Sequence, residues 1–406
     1  MRHGHIDIAR GWCITLVVLG HGAVGWFHPD VDRALSNVRM PLMLALAGAH
    51  LRPATPWITA RDKADALIKP LLVVAALLAG HSALRGDLPD TAAWADHLAR
   101  LATFNGLDLP GWLFPLWFLS LLWLLHVAAS LVAAAAPHLP GWTRPASAAP
   151  DVWSAAQPAW AHRLLWPLSS PQALLYLILL ALCWRLGTAH FTLPEFTTEG
   201  SLCAGSGLSH TGWPFNADLL PLGGACFLLG HLAKGELSEA QAQWRTTACW
   251  AVVSLAIWVL WAPELHLLER EAQARWASLG LAFSGSLTLL GLARGLRGWT
   301  ALAVPSAWLG RHSLYILLFH APAQWAAFKL LRNSHVMTEE GSAWVAAAVV
   351  TLALAGLGWV AQRQPWLMAC FEPMSRVKVR AGHRQRHLEP ANSTSMAGEA
   401  APQGQA

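Results

Sequence analysis

Charge is what this chain has least of. Asp, Glu, Lys and Arg make up 13% of its 406 residues, about half the share found in soluble domains. So little charge cannot clothe a water-facing surface of this size, which excludes a soluble globule. Tyrosine is nearly missing, with 2 residues against 24 Trp. The six cysteines (Cys13, Cys183, Cys203, Cys226, Cys249 and Cys370) show no CxxC spacing. That argues against a metal finger or dithiol redox centre and leaves them as small hydrophobes. There is no Walker sequence and no GxGxxG between a strand and a helix, which disfavours ATPases and dinucleotide enzymes. No small-residue cleavage site follows the first apolar run, so no removable signal peptide is expected. The net charge of +5 comes from cations in short loops and the tail, and no nucleic-acid partner is expected.

What is present is apolar. Hydrophobic residues make up 55% of the chain, and mean hydropathy is positive. Runs approaching the length of a bilayer recur, many of them flanked by Trp. The expected fold is all-α, a polytopic membrane helix bundle of about ten transmembrane helices. The expected spans are 11–27, 38–51, 67–84, 116–136, 173–187, 219–233, 247–262, 276–293, 306–331 and 343–361. The second is the weakest, interrupted by Pro41 and Gly48. Lys and Arg gather in the N-terminal segment, the even loops and the tail, while 188–218 has none, so both termini are expected in the cytoplasm. The membrane-embedded domain is expected to cover 1–375, with 137–172 as a long cytoplasmic loop. Residues 376–406 read as a basic, then low-complexity and disordered tail. No internal repeat is visible, which disfavours carriers built from inverted halves.

Against this background the polar residues inside apolar runs stand out, because each is costly at membrane depth. Arg10 and His21 bracket the first span. Eleven helical residues turn about 1100°, roughly 20° past three turns, and rise about 16 Å. Both side chains therefore share a face, with Arg10 near a membrane surface and His21 near midplane. Asp7 lies one turn before Arg10 on about the same face. An imidazole near midplane suits a general base; the plain alternative is a packing hydrogen bond. Ser313 and His320 stand two turns apart, with Pro322 just beyond. Trp117, ahead of Phe118 and Leu119, fits an interface anchor or a ligand-stacking indole. Arg52, Arg61, Lys63 and Lys69 form a cationic second loop, which reads as a topology signal or as a phosphate-binding group.

Several of these pieces resemble the acyltransferase 3 family of integral membrane acyltransferases, in particular its fucose 4-O-acetylase-like branch. They are His5-Ile-Asp7-Ile-Ala-Arg10-Gly11 with Val17-Val-Leu-Gly-His21, Met40-Pro41-Leu42 with Ala47-Gly48, Leu116-Trp117-Phe118-Leu119, and Leu309-Gly-Arg-His-Ser313-Leu-Tyr-Ile with His320. The Arg-x10-His element is the most specific. The chain departs from the family at Ala47, where Ser is frequent, and in the second loop, where Arg61, Lys63 and Lys69 stand in for paired arginines. No appended hydrolase-like domain is visible. The resemblance implies ten core helices and transfer of an acyl group, usually acetyl from acetyl-CoA, to a carbohydrate hydroxyl. It carries catalytic or donor-binding roles onto Arg10 and His21.

The expected function is membrane O-acyl transfer from cytoplasmic acyl-CoA, a co-substrate rather than a bound cofactor, to a cell-surface or lipid-linked carbohydrate at a bacterial inner membrane. Arg10, Arg61, Lys63 and Lys69 would hold donor phosphates. Asp7 would orient Arg10, and His21 would act as general base or as acyl carrier. Trp117, Ser313 and His320 would line the substrate cavity. The rival reading is a transporter or flippase for a lipid-linked sugar, using the same polar faces for passage. A structural scaffold is a third reading, in which replacing His21 would change stability alone.

Overall fold

The computed structural model describes residues 4–51, 54–104, 109, 113–135, 178–186, 213–232, 243–267, 271–272 and 275–375. The helices are numbered in chain order. They are α1 (Gly4–Gly20), α2 (Ala23–Phe27), α3 (Pro29–Ala49), α4 (Pro56–Lys63), α5 (Lys69–Leu84), α6 (Thr91–Thr103) and α7 (Trp117–Ala135). Then come α8 (178–186) and α9 (Leu220–Leu232), α10 (Trp244–Trp261), α11 (Arg275–Gly295), α12 (Thr300–Arg311), α13 (Ser313–Asn333), α14 (Glu339–Ala361) and α15 (Pro365–Phe371). The extended structure among the described residues is one two-residue antiparallel pair, Leu265–His266 with Glu271–Ala272.

Among the described residues, six helical stretches are long and apolar enough to cross a bilayer: Pro56–Leu84, Trp117–Ala135, Trp244–Trp261, Trp276–Gly298, Ser313–Asn333 and Glu339–Ala361. They match six of the ten expected spans. Of the remaining four, 173–187 is described only over 178–186. The first, 11–27, breaks at His21–Gly22 between α1 and α2. The second is an unbroken 21-residue helix that runs through Pro41. Its polarity comes from Asp30, Asp32, Arg33 and Arg39, and two of these charges are paired with each other: Arg39 forms a largely buried ion pair with Asp32. The expected span 306–331 divides at His312, where α12 ends and α13 begins. The loop at 137–172 and the tail from 376 lie outside the described residues.

Between α4 and α5 the helix does not stop. Residues Ala64–Ile68 form a π-helical turn that joins the two pieces into one rod. Such a turn widens the backbone by one residue per turn and is common at functional sites.

Two close crossings organise the bundle. At the first, α1 meets α12. A Cβ on Gly11 would overlap the carbonyl of Ser306, and one on Gly310 would overlap the carbonyl of Asp7. At the second, α3 meets α9. A Cβ on Gly48 would overlap the carbonyl of Phe227, and one on Gly230 that of Ala45. Lipid offers no hydrophobic drive for helix pairing, so membrane helices gain contact by bringing backbones together at small residues. The core around these crossings includes Ile14, Val18, Leu44, Leu71, Leu119, Phe227 and Ile316.

Candidate active site

The crossing of α1 and α12 sets two cations side by side. Arg10 precedes Gly11 and Arg311 follows Gly310, and both arginines line one cavity of about 320 Å³. Lys63, at the end of α4, lines it too. So do Met43, Ala47 and His50 of the α3 end, Phe118, Leu119 and His126 of α7, and Ser313, Tyr315 and Leu317 of α13. Glu372 is the one acid on the wall among the described residues. The lining therefore carries more positive than negative charge, as an anionic ligand requires. The volume falls at the lower end of the usual range for ligand sites, about 300–1,000 Å³.

His21 sits at the far end of the same helix. Its backbone N–H donates to the Val17 carbonyl at 3.1 Å, so the α-helical register runs unbroken from Arg10 to His21 and keeps the two on one face. The His21 ring stacks on His320, with centroids 5.3 Å apart and planes inclined by 26°. His320 is fully buried and lies one turn beyond Leu317, where the cavity wall ends.

The other expected site residues divide into three groups. Lys63 and Ser313 lie on the cavity wall with Arg10. Asp7 is buried, with its carbonyl against Gly310, at the root of the same crossing. Arg61, Lys69 and Trp117 are not on the wall. Arg61 is exposed and pairs with its neighbour Asp62 at 3.2 Å. Lys69 pairs with Asp65 at 2.7 Å and donates to the Glu372 carbonyl at 2.7 Å, so it ties the end of α15 to the cavity rim. Trp117 is buried rather than at an interface. Its carbonyl accepts from Asn216, which also donates to the Phe104 carbonyl. Arg52 lies outside the described residues.

Sequence reasoning missed four features. Arg311 stands inside the expected span 306–331 and within the Leu309–Ile316 element, but the sequence assigns it no role; its place depends on Gly310. His126 is buried, packs its ring edge-on to Phe227 at 5.1 Å, and has no partner for Nδ1 among the described residues. Glu372 reaches the wall from beyond the last span. The Asp32–Arg39 pair was legible in principle, as opposite charges seven residues apart on one helix face. It abuts Gly20: a Cβ there would overlap both side chains. The site thus has a cationic cavity at one end of α1, a histidine pair at the other, and an ion pair behind the histidine.

No curated protein and no solved structure matches the chain. A family model described as an acyltransferase domain matches residues 3–360, which takes in α1 with both Arg10 and His21, every wall residue as far as α13, and most of α14. The match covers nearly the whole chain, and the helical bundle is of the kind such an enzyme needs to work within a bilayer. This multi-pass membrane protein therefore belongs to the acyltransferase 3 family and is an acyltransferase.

Proposed function

We propose that the enzyme moves an acyl group, acetyl in the simplest case, from acyl-CoA to a hydroxyl of a cell-surface or lipid-linked carbohydrate, and that it does so in a bacterial inner membrane with both termini in the cytoplasm. The observation that carries this reading is the convergence of Arg10, Lys63 and Arg311 on one cavity, with His21 on the same face of α1. Phosphate groups of the donor would be held by the two arginines, each able to make paired hydrogen bonds, and by the Lys63 point charge. An extended thiol arm would then run along α1 toward the histidine pair. There the acceptor hydroxyl oxygen bonds to the thioester carbonyl carbon and its proton passes to His21. The carbon–sulfur bond breaks, and the thiolate takes the proton back, leaving ester and free thiol. A label from the acyl group that stays on quenched, denatured protein would replace proton transfer with an acyl-carrier role for His21.

The donor half is tested at Arg10. Arg10→Ala should weaken acyl-CoA binding more than Arg10→Lys, because lysine keeps the charge but loses the paired geometry. Titration of purified protein with a non-hydrolysable acyl-CoA analogue reads this directly. Wild-type affinity in both variants would take Arg10 out of the donor site. The orientation is tested by a reporter fused after Arg380, which should read as cytoplasmic; a periplasmic signal would invert the topology and with it the side from which the donor enters.

A further inference from the structure

A buried glutamine marks the acceptor side of this site. Gln324 lies in the middle of α13 and is 2% exposed, yet neither its Nε2 nor its Oε1 has a hydrogen-bond partner among the described residues. Its amide packs against the His21–Gly22 break: a Cβ on Gly22 would overlap it. One helical turn earlier stands His320. The Nδ1 of that ring faces the carbonyls of Ile316 and Leu317 at 3.1 and 3.0 Å. Carbonyls only accept, so Nδ1 carries the proton and donates. The neutral ring's Nε2 is left as an acceptor, buried and without a partner among the described residues. Two polar side chains on one face of one helix are thus unsatisfied at the point where α1 breaks, beside His21. Natural structures rarely leave buried polar groups unpaired without a reason, and at membrane depth water is a poor substitute.

We infer that Gln324 and His320 bind the acceptor through its hydroxyl groups. The chemistry fits a polyol. A hydroxyl both donates and accepts, so it can donate to His320 Nε2 while accepting from the Gln324 amide N–H. A second hydroxyl on the neighbouring carbon can donate to Gln324 Oε1. The ligand is a ring bearing adjacent hydroxyls, held so that one of them faces His21. Pro322, between the two residues, has no N–H to donate, so the carbonyl of Leu318 one turn back gets no helical bond from it.

This inference rests on the acyl-transfer reading, and one experiment separates the two. Purified enzyme is given radiolabelled acetyl-CoA and a total glycan and glycolipid extract of a strain deleted for the protein, which holds the unmodified acceptor. Wild type should label the extract. Gln324→Met keeps the length of the side chain but cannot hydrogen-bond. It should raise the amount of extract needed for half-maximal rate about 10-fold, with the KM for acetyl-CoA moved less than twofold. Its melting temperature should not fall, because the group removed was unsatisfied. No transfer by wild type would overturn the acyl-transfer reading and this inference together. Transfer with an unchanged half-saturation in Gln324→Met, or an equal rise in the KM for acetyl-CoA, would overturn the inference alone. A lowered melting temperature with unchanged half-saturation would make Gln324 a packing residue.

Discussion

His21→Gln should cut acyl transfer about 10²–10⁴-fold, the usual cost of losing a general base, while the protein still inserts and accumulates. Glutamine keeps a hydrogen-bonding group of similar reach but does not titrate, so the substitution separates proton transfer from packing. The structure makes this a fair comparison. His21 caps the end of α1, where its N–H bond to Val17 does not involve the side chain, and its ring makes a stacked contact with His320 that a flat amide can replace. His21→Ala should fail likewise. Rates are to be read on purified protein with matched melting curves. Near wild-type transfer by His21→Gln would make His21 a packing residue and remove the mechanism, even though membership of the acyltransferase family would stand.

The largest effect on stability should come from Arg39→Met. Arg39 is 8% exposed and its ion pair with Asp32 spans two turns of α3. Removing the cation leaves the partly buried Asp32 carboxylate, 15% exposed, without its partner, a loss that reaches about 3–5 kcal/mol for a fully buried pair. The double variant Asp32→Asn with Arg39→Met removes both charges and should recover most of that loss, since replacing a whole buried pair is often neutral. Thermal unfolding in one detergent, across wild type, both single variants and the double, measures the coupling. A double variant as unstable as the sum of the singles would show that the two charges do not depend on one another. Because the pair abuts Gly20, the single variants should also disturb His21 and lower activity beyond their effect on folding.

How much of this was written in the sequence varied with the kind of information. Apolar length gave the class of fold and six of the expected spans, because hydropathy is local and additive along a helix. The register of Arg10 and His21 was also local, fixed by 3.6 residues per turn, and α1 preserves it. What escaped was whatever depends on two segments meeting. Arg311 becomes a site residue only because Gly310 lets α12 lie against the backbone of Asp7. Lys69 looked like Lys63 in the sequence, yet one faces the cavity and the other holds Glu372 and Asp65. Trp117 looked like a surface anchor, but Asn216 draws it into the core from a segment about a hundred residues away. Pro41 and Gly48 made the second span look doubtful, yet α3 runs unbroken through Pro41, and Gly48 serves the close crossing with α9. Gln324 carried a local signal, an amide in an apolar helix, but its neighbours gave it no meaning until α1 was seen to break beside it.

The π turn at Ala64–Ile68 gives the cationic wall a property of its own. An α-helix advances about 100° per residue, and a π turn holds one residue more than the α turn it replaces. Deleting a single residue within 64–68 could therefore restore a plain α-helix without breaking the rod. Because the π turn completes its revolution with one residue more, that deletion would leave α4 and α5 close to their present phase, with Lys63 still toward the cavity and Lys69 still on Glu372. The extra residue thus behaves like slack taken up in one link of a chain, leaving the angle between the two halves of the rod as it was. A codon lost within this turn is therefore absorbed where it falls, and the facings of Lys63 above it and Lys69 below it are both kept.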